Sequence, residues 1–433
     1  MKNYRLSHPL ISKDSLREKY GMVIFLFLLF EFVLMISEQT LDPWLLTHYL
    51  ITYEFGLVPR GFIGSLLSLF ANNITYNLVY AVSIVSFTFL IAQISLLLGN
   101  AIKTSETDMK PSIKIFALLF LASPFSVTYL LGGYFGRFDL YWVIITLLSL
   151  VFLKKPAFRW AVPLLCAVAV MIHQGFMVTY MPALAIALLY EVCRNKYSKS
   201  SIAVFALSCF SMISVFLYLQ YSVNHIPFDN PVEFLNHLAK RAAFAPEIAL
   251  IYSEYFCSAK DWSQNVILPT LSIIGPTVVS LMLVFSAPLL IIFFYIWKQS
   301  FKTAESKFLK FVFFLCAAAP CIFAAAALFA ADLDRWWAAV MNNQFIFIFY
   351  FIFSKEKPVT NAVKRVGNFL HHHLLILSLM LIFTNSLTFS KASSLVLNIS
   401  LDDFRKGGEL IMIIVRYVAE NIPGIERVFG INV

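Results

Sequence analysis

The chain has 433 residues, 60% of them apolar and only 13% charged, with a mean hydropathy of +0.79. Soluble domains carry about a quarter charged residues, so the balance excludes one and predicts a polytopic membrane protein. A net charge of +9 would suit nucleic acid in a soluble chain. In a membrane chain it collects in cytoplasmic loops instead, and no nucleic-acid partner is expected.

A spanning helix needs about 20 apolar residues. In chain order, the apolar runs predict spans over 21–38, 77–99, 114–131, 139–153, 160–172, 176–191, 202–221, 268–297, 310–330, 337–353 and 373–390. The expected fold is all-α, a polytopic transmembrane helical bundle of about 11 spans (range 10–13), with short or re-entrant helices near the outer face. Its parts are a cytoplasmic basic arm (1–20), the bundle (21–390) with outer loops 39–76 and 222–267, and an amphipathic tail (391–433) on the outer face. The run after residue 20 lacks a small-residue cleavage site and reads as a retained helix, not a signal peptide. The six cysteines lie mostly in apolar runs and imply no disulfide framework.

Five basic residues in the arm place the N-terminus in the cytoplasm. Alternation then assigns 22 lysines and arginines to the inner segments and six to the outer loops. "GFIGSLLSLF" (61–70) is too short to cross and is expected to be re-entrant or interfacial. Residues 158–191 read as two half-length helices meeting at "HQG" (173–175), backbone tolerated at depth only where it is buried in protein or lines a wet cavity. The loop 222–267 is expected to cover the outer mouth as a lid.

The polar residues that the composition does not explain then gather on the outer side. Asp42, His48, Glu54 and Arg60 fall in the first outer loop. Tyr134, Arg137 and Asp139 fall in "LLGGYFGRFDLYWV" (130–143). His173 and Gln174 fall at the helix break, and Asp332, Asp334, Arg335 and Trp336 in "AADLDRWWAAVMNNQ" (330–344). Ionisable groups at membrane depth cost roughly 2.5–3.5 kcal/mol on insertion scales, which makes them functional candidates. The competing reading makes Arg137–Asp139 and Asp334–Arg335 structural pairs, Arg60 an interfacial snorkel, His173 a packing histidine and Glu54 a cap or partner of Arg60. For Asp139, the start of a helix suggests a cap.

Three arginines aimed at one outer cavity suit a polyanion, because guanidinium grips phosphate oxygens in bidentate fashion and keeps its charge. At the outer leaflet the expected polyanion is a polyprenyl-diphosphate-linked sugar. Arg60, Arg137 and Arg335, with Asp139, Asp334, Tyr134, Trp336 and Gln174, are the candidate binding residues. His173, Glu54 and Asp332 are the candidate catalytic ones, taking a proton from the attacking hydroxyl. No metal or cofactor is demanded. "HHH" (371–373) sits at a cytoplasmic helix edge, and no P-loop, GxGxxG, HExxH, GxSxG or CxxC motif occurs.

The spans, the long outer loop, the outward arginines and "IHQGFMVTYMPAL" (172–184) resemble bacterial integral-membrane polysaccharide polymerases and glycosyltransferases of the GT-C type, such as O-antigen polymerases and the EpsG-like group. The resemblance implies a GT-C-like bundle in the bacterial inner membrane, a lipid-linked glycan as substrate, membrane lipids and polysaccharide-assembly proteins as partners, and surface polysaccharide as product. The EpsG-like pattern tends to follow its histidine with a small polar residue, where this chain has Gln174–Gly175. The alternative is a transporter or flippase of a lipid-linked oligosaccharide or other anionic solute, which would need polar residues on both sides of the midplane.

Overall fold

The computed structural model describes residues 41–123, 135–222, 226–257, 274–322 and 333–385, together with Leu26, Asp261 and Gln264. The basic arm, the 21–38 run apart from Leu26, and the 391–433 tail lie outside these residues. The described chain is all-helical, and its only strand-like feature is an isolated bridge between Ile74 and Ala242.

Four helices are long and apolar enough to cross a membrane: Tyr76–Thr104, Lys199–Tyr221, Val279–Thr303 and Arg335–Phe353. A fifth is possible if Lys357–His372 and Leu374–Thr384, bent by 99° at their junction, form one span. Eleven spans are therefore not what length and composition support among the described residues. Several of the expected runs fold into helices of 11 to 15 residues, such as Asp139–Leu153 and Val162–Ile172, and at about 1.5 Å per residue these are shorter than the hydrocarbon layer.

The elements run in order from α1 (Pro43–His48), α2 (Gly61–Ser68), α3 (Tyr76–Thr104), α4 (Lys110–Ala122) and α5 (Asp139–Leu153) to α6 (Val162–Ile172), α7 (Phe176–Thr179) and α8 (Met181–Arg194). After these come α9 (Lys199–Ser222), α10 (Pro231–Ala239), α11 (Ile248–Ile251), α12 (Ile274–Thr303), α13 (Lys307–Ala318), α14 (Leu333–Phe353), α15 (Lys357–His372) and α16 (Leu374–Asn385). Their starts follow ordinary capping chemistry: the side chains of Asp42, Thr75, Asn230 and Ser306 each accept a first-turn N–H.

Helix α14 is the centre. From Trp337 to Ile352 every residue is buried, as expected of a helix that is apolar all round. Three amides interrupt it at Asn342, Asn343 and Gln344, and two of them tie it to neighbours. Gln344 accepts from Trp297 Nε1 on α12 at 2.6 Å and donates to the Cys316 carbonyl on α13 at 3.1 Å. Asn343 donates to the Thr179 carbonyl at 2.6 Å.

That last bond belongs to the break at "HQG", which stands where the sequence predicts one. Helix α6 ends at Ile172, His173 is extended (φ −167°, ψ 125°), and α7 makes one turn before α8 begins. The freed carbonyls find partners: His173 O accepts from Trp142 Nε1 at 3.1 Å and Gly175 O from Thr179 Oγ1 at 2.9 Å. Satisfied backbone of this kind is what lets a helix break persist at depth.

Segment 226–257 folds onto segment 41–75. The Ile74 N–H donates to Arg241 O at 2.8 Å, and Ala243 N–H to Ile74 O at 3.0 Å. The Glu247 N–H donates to Thr47 Oγ1 at 2.7 Å, and Arg241 Nη1 to Thr52 Oγ1 at 3.3 Å. A single π-turn, Tyr252–Phe256, brings Tyr255 OH within 2.6 Å of the Pro59 carbonyl. The expected interfacial stretch is the eight-residue α2, packed against α6 with Leu69 and Phe70 exposed beyond it.

Candidate functional site

The site lies at the end of the bundle where α5 and α14 begin and α6 stops. Arg60 enters first. It has a left-handed backbone (φ 63°) as the residue before α2, a conformation costly for a residue with a Cβ and held only when its surroundings over-determine it. Here they do. Tyr255 holds the Pro59 carbonyl, Glu254 Oε1 lies 2.9 Å from Arg60 Nη2, and Arg60 Nη1 donates to Nε2 of His48. Because guanidinium is donor-only, His48 Nε2 must be bare, so the ring is neutral with its proton on Nδ1. Burial, and then the charges of Arg60, Arg137 and Arg335, hold His48 well below its usual range.

Arg137 comes from the glycine-bearing loop before α5. Gly136, at φ +77°, leaves no room for a Cβ between Leu41 and Leu45, and its carbonyl accepts from Tyr49 OH at 2.8 Å. The close turn therefore needs glycine. Arg137 is half-buried and has no hydrogen bond or ion pair among the described residues.

Two residues on, Asp139 departs from the expectation that it caps α5. Phe138 occupies the cap position with no side-chain cap bond, and Asp139 is the first helical residue. Its Oδ2 lies 3.2 Å from Arg335 Nη1 in the first turn of α14. Asp139 is 2% exposed, and its Oδ1 is buried without a partner among the described residues. A half-buried guanidinium competes for the carboxylate better than the helix's own N–H groups do.

His173 sits beside them, packed edge-on to Trp142 with ring centroids 4.8 Å apart. Its Nδ1 accepts the Gly175 N–H at 3.0 Å. The neutral ring then carries its proton on Nε2, which is buried and unpartnered. Tyr180, whose ring centroid is 6.5 Å from Trp142, has a buried hydroxyl without a partner among the described residues.

Four separate segments thus bring together Arg60, Arg137, Asp139, His173 and Arg335, with His48. Gln174 Oε1 and Trp336 Nε1 are likewise buried without partners among the described residues. Glu54 is not brought in: it is 49% exposed and pairs with His237 Nε2 at 3.0 Å. Tyr134 and Asp332 lie outside the described residues, and Asp334 is described only as backbone in the first turn of α14. His372 and His373 turn their Nδ1 atoms back to carbonyls of α15. Among the described residues no three His, Cys, Asp or Glu side chains stand together as a metal site.

No protein-family model, no curated protein and no solved structure matches this chain.

Sequence reasoning passed over His48 as a ligand of Arg60, and also Glu254, Tyr180 and Asn342. Asn342 carried a usable signal, an amide inside an otherwise apolar span. A second polar cluster was also missed, at the far end of α5 about 22 Å away. There Lys154 Nζ lies 2.5 Å from Glu191 Oε1 and over the Tyr350 ring, and Tyr350 OH donates to Glu191 at 2.8 Å. In this cluster the charges are paired.

Proposed function

We propose that the chain is a membrane glycosyltransferase of the polysaccharide-polymerase type, acting at the outer face of the bacterial inner membrane on a polyprenyl-diphosphate-linked sugar without a metal. The observation that carries the reading is the convergence of Arg60, Arg137 and Arg335, from three separate segments, around the neutral ring of His48. Arg60 and Arg335 each meet one carboxylate, Glu254 and Asp139, whereas Arg137 has none among the described residues and can supply a bidentate grip on phosphate.

The chemistry follows from the open atoms. An acceptor hydroxyl attacks the anomeric carbon of the donor sugar, and the bond from that carbon to the diphosphate oxygen breaks. The electron pair leaves with the diphosphate, where the guanidinium groups stabilise the growing charge. The hydroxyl proton passes to Oδ1 of Asp139, the unpartnered carboxylate oxygen beside Arg335. His173, with Nδ1 occupied, contributes its Nε2–H as a donor to a sugar or phosphate oxygen. Trp336 and Gln174 border the bound ligand.

A transporter or flippase of the same anionic lipid is the second reading, and the Lys154–Glu191 cluster at the opposite end favours it to the extent that alternating access needs polar groups on both sides. Deletion separates the two. A lost polymerase collapses the surface polysaccharide ladder to a single repeat and leaves lipid-linked units outside. Accumulation of those units inside, with no single-repeat product, would overturn the enzyme reading in favour of transport.

A further inference from the structure

Of the three consecutive amides in α14, Gln344 gives both ends and Asn343 its Nδ2 to neighbouring elements, with Asn343 Oδ1 left open, whereas Asn342 gives neither end. It is 1% exposed, and both its Nδ2 and its Oδ1 lack partners among the described residues. A fully desolvated amide with donor and acceptor both open is costly, and packing gives no return for it. Helical geometry adds direction. Asn342 follows Arg335 by seven residues, so it lies on the same stripe of α14, about 10 Å deeper. Ala338 and Ala339, the small residues at the intervening turn, are buried. Tyr180 stands at this level of the helix, because Asn343 donates to the carbonyl of its neighbour Thr179, and its buried hydroxyl also lacks a partner among the described residues.

We propose that Asn342 and Tyr180 form the floor of a subsite that reads the hydroxyl-bearing ring of a hexose, below the guanidinium groups that hold its diphosphate. An amide offers one donor and one acceptor side by side, which two adjacent ring hydroxyls match, each donating to or accepting from it. The inference rests on the donor reading of the arginine cluster and adds to it the residue that selects the sugar. A site built to bond a hydroxyl rejects a ligand lacking it far more sharply than an apolar pocket does.

The test uses purified full-length protein and its melting temperature. The probes are farnesyl diphosphate and farnesyl-diphospho-hexoses carrying glucose, galactose or N-acetylglucosamine. Wild type should be stabilised further by at least one glycosylated probe than by bare farnesyl diphosphate. Asn342→Leu should melt above wild type without ligand, because an unpartnered buried amide is gone, and should respond equally to bare and glycosylated probes. Asn342→Ala, which adds no volume, carries the same probe comparison if leucine overpacks. Asn343→Leu should melt below wild type, having lost the Thr179 bond.

A sugar increment that survives in both Asn342 variants overturns the subsite, as does an Asn342→Ala protein destabilised as much as Asn343→Leu. Equal stabilisation of wild type by bare and glycosylated probes also overturns it, while leaving diphosphate binding intact. Wild type unmoved by any probe overturns the donor reading, and the subsite falls with it.

Discussion

Arg335 donates from Nη1 to Oδ2 of Asp139 across 3.2 Å, tying the first turn of α14 to the first turn of α5 over 196 residues of sequence. The pair leaves Oδ1 buried and without a partner among the described residues. A purely structural bridge would gain from using both carboxylate oxygens, because removing one partner of a buried pair costs about 3–5 kcal/mol and full satisfaction is what offsets the burial. The half-satisfied carboxylate is the basis of the first prediction. Asp139→Asn should keep membrane abundance, since the amide oxygen still accepts from Arg335, yet lose about 10²–10⁴-fold in polymer synthesis if Oδ1 takes the proton. Wild-type synthesis by Asp139→Asn, measured against abundance on the same membranes, would return the residue to a structural role.

Arg60 and Arg137 should separate in kind. Arg60 is held by His48 and Glu254, so Arg60→Ala removes two partners and strands a carboxylate, and abundance should fall along with activity. Arg137 has no such ties among the described residues. Arg137→Lys, which keeps the charge and loses the fork, should leave abundance normal and cut activity by about 10²–10³-fold, the scale of one lost charge-stabilising donor. Full activity in Arg137→Lys would make it an interfacial charge only.

How much of this the sequence disclosed depends on range. The break at His173–Gly175 was readable because two polar residues and a glycine interrupt an apolar run, and local chemistry decides it. The arginines were readable because charge is rare in such a chain. Asp139 was misassigned for the same local reason: a carboxylate at a helix start ordinarily caps it, and nothing nearby announces a guanidinium 196 residues away. The His48–Arg60 contact is close in sequence but depends on the left-handed turn at Arg60, which residue types do not encode. Glu191 stands near the end of α8 with nothing local to mark it, and only the packing of α5, α8 and α14 shows it paired with Lys154 and Tyr350.

The orientation of the site can be checked with thiol labelling. In a background lacking Cys257 and Cys321, Lys240→Cys follows α10 at the arginine-bearing end and Glu305→Cys lies between α12 and α13; both side chains are exposed. An impermeant reagent applied to intact cells should label the first and spare the second. The opposite pattern would put the arginines on the cytoplasmic side, where no outer-leaflet donor reaches them.

The last prediction concerns acid. His48 accepts from Arg60 at Nε2, which a protonated ring cannot do. The groups facing it are Arg60, Arg137 and Arg335, with His173 beside them and the Phe138 ring 5.6 Å away, and burial followed by the arginine charges keeps its folded-state value well below the usual one. A histidine with a depressed folded value contributes stability that is complete above its unfolded value, near 6.5, and is lost as pH falls below it toward the folded value. Melting temperature and activity should therefore hold above about pH 6.5 and decline together on acidification. His48→Gln offers Arg60 an oxygen that does not titrate in this range, so it should flatten that acid limb while keeping Arg60 in place. An unchanged acid limb in His48→Gln would assign the pH dependence to another group and remove His48 from the electrostatics of the site.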